Sequence, residues 1–260
     1  MNRVRFARPA RATLRTAMRR LFAWLVHLYT ALGLVCAAGI AVLVVRGDDR
    51  SFRLAFMLMM MATAIDATDG WLARRAHVKD VLPGFDGRAL DDLIDFHTYA
   101  SLPLLLIWRA GVLPGASAWL LLLPLLASAY GFSQVDAKTD DGFFLGFPSY
   151  WNIVAFYLFV LRLPPPIAAA PLVIFALLTF VRTPYIYATR GAPFARTMNL
   201  GAVVWFVLLG MILFGPAQYS RMLAVVSLAY PAMYLAFSAV VTVRRSLRAS
   251  ARRRADRAAS

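Results

Sequence analysis

Asp66-Ala-Thr-Asp69-Gly70-Trp-Leu-Ala73-Arg74 and, after an interval, Gly87-x-x-x-Asp91-x-x-x-Asp95 place four carboxylates at helical spacing beside two glycines and an arginine. Residues three and four apart on a helix share a face, so Asp66 and Asp69 stack together, as do Asp91 and Asp95. A helical hairpin would turn the two pairs toward each other. Four converging carboxylates repel and take up protons unless a cation neutralises them, and an all-oxygen donor set suits magnesium or manganese. Such ions in turn hold phosphate oxygens. Gly70 and Gly87 read as positions where backbone approaches a ligand closely, and Arg74 as a partner for phosphate charge. All 13 acidic residues are aspartates. Asp80, Asp86 and Asp92, in the same stretch, read as solvated flanks.

The elements that must position these groups are membrane helices. Hydrophobic residues make up 61% of the 260-residue chain and charged residues 16%, which excludes a soluble globular domain. Apolar runs divide the chain into about eight transmembrane helices, at roughly 21–45, 52–73, 91–108, 116–135, 149–163, 167–188, 198–214 and 221–243. They are separated by breakers such as Gly47, Pro83-Gly84, Pro114-Gly115, Pro164-Pro-Pro166 and Gly215-Pro216. The fold class is therefore an all-α polytopic membrane protein. Residues 1–20 and 244–260 are basic tails around a membrane domain at 21–243, and the first tail reads as an uncleaved segment. The net charge of +15 comes largely from those tails, which suit an anionic lipid surface better than nucleic acid. Cys36 is the only cysteine, so there is no internal disulfide and no thiolate zinc site.

An even number of spans puts both tails on one side. Of the 28 basic residues, only Arg46, Arg50, Arg53, Arg109, Arg162 and Arg221 fall on the opposite side, with Arg182 inside a span. The basic excess predicts cytoplasmic tails and a cytoplasmic 74–95 region. Carboxylates at membrane depth are costly and usually functional, which sets the four motif aspartates apart from ordinary flanking charge.

The motif D-x-x-D-G-x-x-A-R…G-x-x-x-D-x-x-x-D resembles that of the CDP-alcohol phosphotransferase family, matched at Asp66, Asp69, Gly70, Ala73, Arg74, Gly87, Asp91 and Asp95. The spacer 75–86 is longer than usual for that family. It resembles the bacterial phosphatidylcholine synthase branch, as does Gly146-Phe-Pro-Ser-Tyr150-Trp151-Asn152. The resemblance implies attack of an alcohol hydroxyl on the β-phosphorus of CDP-diacylglycerol with release of CMP, the alcohol being choline in that branch. It assigns Asp66, Asp69, Asp91 and Asp95 to a two-metal site for manganese or magnesium, with Asp95 also the general base. It assigns Asp66, Gly70, Ala73, Arg74 and Gly87 to the nucleotide and diphosphate, in an enzyme of the inner membrane whose site faces the cytoplasm. Expected partners are CDP-diacylglycerol, choline and membrane lipid, with homodimerisation left open.

Choline carries no hydrogen-bond donor on nitrogen and is typically held over aromatic faces. Tyr150 and Trp151 are the main candidates, with Phe147 beside them and Tyr99, Tyr130, Tyr185 and Tyr187 behind. Arg182 is expected to bind lipid phosphate or pair with an aspartate. His27, His77 and His97 read as satisfied polar residues, and Met57 and Met59 to Met61 as helix packing. Two competing readings are an ion transporter, which would not require the glycines and Arg74 at these offsets, and an enzyme using serine, glycerol phosphate or inositol phosphate. Anionic acceptors call for extra basic residues near the site, where the 136–152 region offers mainly Lys138.

Overall fold

A computed structural model describes residues 9–139, 141–187 and 195–259, the side chains of 9–13, 195, 246 and 248–259 excepted. The order is α1 Pro9–Arg46, α2 Asp49–Arg75, a short α3 Val78–Val81, α4 Gly87–Asp95, a π-helical stretch Phe96–Ser101, and α5 Leu102–Arg109. A 3₁₀ segment Gly115–Leu121 then leads into α6 Leu122–Phe132, β1 Phe143–Leu145, α7 Trp151–Leu161 and α8 Pro165–Phe180. Strand β2 Pro184–Ile186 and helices α9 Ala195–Phe214, α10 Ala217–Ser227 and α11 Ala229–Ala259 complete the chain.

The chain is predominantly helical, and five stretches are long and apolar enough to cross a membrane: Leu14–Arg46, Asp49–Arg75, Gly115–Phe132, Arg196–Phe214 and Ala217–Arg245. Trp151–Leu161 and Pro165–Phe180 are apolar but shorter. Large apolar side chains such as Val35, Leu200 and Trp119 stay exposed, an arrangement disfavoured in water and natural against lipid.

Three boundaries differ from the sequence expectation. The sixth run stops at Phe180 instead of 188, because Pro184–Ile186 pairs antiparallel with Phe143–Leu145. Arg182 therefore lies outside any helix, exposed, in an ion pair with Asp136. The last run is broken at Leu228, and the third is interrupted by the π-helical stretch just before Pro103. Proline lacks an amide donor and its ring crowds the carbonyl four residues back, here Tyr99, so the preceding turns widen.

Helices α1 and α2 form the hairpin that frames the site. Gly47 takes a left-handed φ of 76° at the turn, and Asp48 caps α2 by accepting from Ser51 N at 2.9 Å and Ser51 Oγ at 2.6 Å. The main core joins Ile40, Val44, Phe56, Leu106, Ile107 and Trp151, from α1, α2, α5 and α7. This largely apolar centre fixes α2, which carries Asp66 and Asp69, against its neighbours.

Candidate active site

Asp66 and Asp69 sit near the end of α2, and Asp91 and Asp95 on α4, whose first turn is capped by the Asp86 carboxylate accepting from Arg88 N and Ala89 N at 3.0 and 3.1 Å. Asp86 is exposed as expected, but it has this structural task. Carboxylate oxygens of Asp66, Asp91 and Asp95 lie within 4.8 Å of one another. Asp69 is one turn along α2 from Asp66 and outside that threesome. Thr30 of α1 donates to its Oδ2 at 2.8 Å. Packing of α2 and α4 on α1 thus brings three of the four motif carboxylates to one point, and Thr30 orients the fourth beside them.

Tyr99 of the π-helical stretch donates its hydroxyl to Asp66 Oδ2 at 2.7 Å. Lys138 reaches in from the loop before β1, with Nζ 3.1 Å from Asp92 Oδ1 and 3.7 Å from Asp91 Oδ2. Burial alone would lower the Lys138 pKa, but the carboxylates of Asp91 and Asp92 overcome it and hold the ammonium charged well above neutral pH. Asp92 is half-buried between Lys138 and Arg88, which corrects its reading as a solvated flank. At the loop's edge, the Arg182 guanidinium donates to Asp136 and keeps that carboxyl below the usual range.

The motif's remaining positions divide between contact and packing. A side chain on Gly87 would come within 2.5 Å of His27 Cε1, so the glycine there admits an imidazole from α1. At Gly70 the neighbour is the Arg74 guanidinium, 3.3 Å from where a Cβ would stand, and Arg74 itself is exposed. Ala73 packs with Ala23, Val26, Val78 and Leu82. His97 bonds Ser101 at 3.0 Å and His77 lies 3.8 Å from Asp80, yet His27 Nε2 is buried with no hydrogen-bond partner among the described residues. The expectation of satisfied histidines therefore fails for His27, which is enclosed by the Trp24 and Phe85 rings.

Aromatic residues gather on the Tyr99 side of the carboxylates. Tyr150 lies 6.2 Å from Tyr99, 5.9 Å from Tyr234 and 6.5 Å from Phe144 between ring centroids, and Phe144 stacks on Tyr187 at 4.3 Å. Trp151 is completely buried and its Nε1 donates to Ser128 Oγ at 2.6 Å, so its ring offers no open face. Phe147 and Tyr185 are likewise buried, while Tyr130 pairs with Phe180. The sequence reading did not identify Tyr234, Thr30 or the Tyr99–Asp66 bond. Tyr234 lies 84 residues beyond Tyr150, and no local spacing connects them.

No family model matches the chain. It is 38% identical to phosphatidylcholine synthase of Legionella pneumophila over 65% of this chain and 66% of that protein. It is 35% identical to the Legionella bozemanae phosphatidylcholine synthase over 73% of this chain and 91% of the relative. The Pseudomonas aeruginosa phosphatidylcholine synthase is 33% identical, with 76% and 82% covered. With coverage of that extent and a convergent aspartate site on a helical membrane scaffold, the chain belongs to the phosphatidylcholine synthase family.

Proposed function

We propose that this protein condenses CDP-diacylglycerol with choline to give phosphatidylcholine and CMP, working at the cytoplasmic face of the inner membrane. The observation that carries the reading is the convergence of Asp66, Asp91 and Asp95, with Asp69 held alongside by Thr30. The donor set fits a hard divalent metal: every candidate ligand is a carboxylate oxygen, their separations suit shared coordination, and Lys138 alone cannot balance so many negative charges. Asp66, Asp69, Asp91 and Asp95 would hold manganese or magnesium, which supplies charge neutralisation for the diphosphate.

The residues of the chain then divide the work. Asp95 takes the proton of the choline hydroxyl as its oxygen bonds to the β-phosphorus. The bond from that phosphorus to the bridging oxygen breaks, and its electron pair leaves with CMP. Arg74, exposed at the cytoplasmic end of α2, pairs with phosphate charge, and Gly70 leaves its guanidinium room. Tyr99 fixes one oxygen of Asp66 and with it the orientation of that carboxylate.

The acceptor follows from charge. The nearest basic side chain, Lys138, is engaged by Asp91 and Asp92, and Arg182 by Asp136. Little positive charge is left to hold an anionic alcohol, which supports choline over glycerol phosphate or inositol phosphate. Purified protein should be supplied with CDP-diacylglycerol and, separately, choline, serine, glycerol phosphate and inositol phosphate, while CMP and lipid product are measured. Phosphatidylcholine formation with choline is the expected result. Product from another alcohol and none from choline would overturn the proposal.

A further inference from the structure

Three half-buried tyrosines from different parts of the chain meet beside the carboxylates: Tyr150 at the start of α7, Tyr187 after β2 and Tyr234 on α11. We propose that their rings, with Phe144 of β1, form the subsite for the acceptor's trimethylammonium group, an assignment that rests on the choline reading above. A quaternary ammonium has no N–H to satisfy and is stabilised by the negative faces of aromatic rings. These four rings keep accessible surface, whereas Trp151, Phe147 and Tyr185 are buried.

Position matches the chemistry. Tyr99 spans the interval between cage and carboxylates: its ring is 6.2 Å from Tyr150 and its hydroxyl 2.7 Å from Asp66. A cation over Tyr150 therefore lies on the side of the carboxylates where Tyr99 stands, with that one side chain between Tyr150 and Asp66. The rings are held by the fold. Tyr234 donates to Ile186 O at 3.2 Å and its ring meets that of Tyr150 edge-on at 5.9 Å, and Tyr187 N donates to Gly142 O at 2.9 Å. Gly146 lets the chain between Phe144 and Tyr150 pass close against α8, where a side chain would meet Thr179 O at 2.3 Å. Lys138 is the β-bridge partner of Phe144 and carries its charge away to Asp91 and Asp92.

The test compares choline with 3,3-dimethylbutan-1-ol, its uncharged carbon isostere, and uses tetramethylammonium as a probe that cannot react. Wild type should prefer choline strongly, and tetramethylammonium should compete with choline and not with CDP-diacylglycerol. Tyr150→Leu and Tyr234→Leu should each raise the choline KM by about 2- to 30-fold, leave the KM for CDP-diacylglycerol within about twofold, and shrink the preference over the isostere. Equal use of choline and isostere by wild type would overturn the cage, as would variants that shift both KM values together. Direct calorimetric titration of tetramethylammonium into wild type and both variants needs no turnover. Absence of phosphatidylcholine synthesis with probe binding intact would count against the acceptor reading and leave the cage standing, whereas probe binding equal in all three proteins would sink the cage.

Discussion

The Thr30 hydroxyl donates to Asp69 Oδ2 at 2.8 Å across the α1–α2 hairpin, and both residues are buried. A helix that carries no motif residue thus sets the orientation of one that does. Thr30→Val keeps the shape and removes the donor, so Asp69 should lose its fixed rotamer. We expect the manganese concentration for half-maximal activity to rise about 10- to 100-fold, the scale for losing a group that orients a ligand. An unchanged metal activation curve would show that Asp69 is placed by backbone alone.

Metal removal tests the cluster as a whole. A chelator should abolish CMP release and added manganese or magnesium should restore it. Alanine at Asp66 or Asp91 should prevent that restoration while the protein remains in the membrane. Full activity in chelator would mean that Lys138 suffices to balance the carboxylates.

Asp95→Asn separates proton transfer from ligation. The amide keeps one coordinating oxygen but cannot take the choline proton, so turnover should fall by about 10²-fold or more. CDP-diacylglycerol binding, followed by equilibrium retention of labelled nucleotide, should persist. Joint loss of nucleotide and metal affinity would make Asp95 chiefly a ligand.

Gly87 and His27 are predicted to be coupled. Ala at Gly87 places a methyl 2.5 Å from the imidazole, and overpacking of this kind costs about 1–3 kcal/mol. Gly87→Ala should lower the thermal midpoint in detergent, and adding His27→Ala should recover much of the loss. A double variant no better than the single one would place the strain elsewhere.

Topology is open to direct labelling. With Cys36 replaced by serine, a cysteine at Asp48 should react from outside intact spheroplasts, and tags at either terminus should not. The reverse pattern would put the nucleotide site on the face away from cytosolic CDP-linked lipid.

The aspartate site was legible because most of its geometry is local: spacings of three and four fix which carboxylates share a helix face, while packing of both helices on α1 sets the faces together. The all-helical membrane character was readable for a similar reason, since lipid demands length and hydropathy from each helix separately. What escaped was non-local or irregular. The π-helical stretch before Pro103 and the break at Leu228 leave hydropathy unchanged, so the runs looked uniform. The β1–β2 pairing joins segments 40 residues apart, and three-residue strands are too short for alternation to show. Trp151 looked like a cation plate by type, and only packing reveals that Ser128 and Phe147 occupy its edge and face.

An 11-residue helix such as α7 rises about 16 Å, roughly half the thickness of the hydrocarbon layer. Irregular chain must make up the difference, and at that depth its amides have no water to bond. The β1–β2 pair and the chain around it meet the need: beyond the ladder itself, Leu145 N donates to Ala137 O, Gly146 N to Thr183 O and Phe147 N to Leu178 O. A scrap of sheet in a helical membrane protein is therefore a dielectric device. It closes the backbone bonds of the irregular chain within the protein, so a helix too short to span by itself can end without leaving amides and carbonyls unpaired.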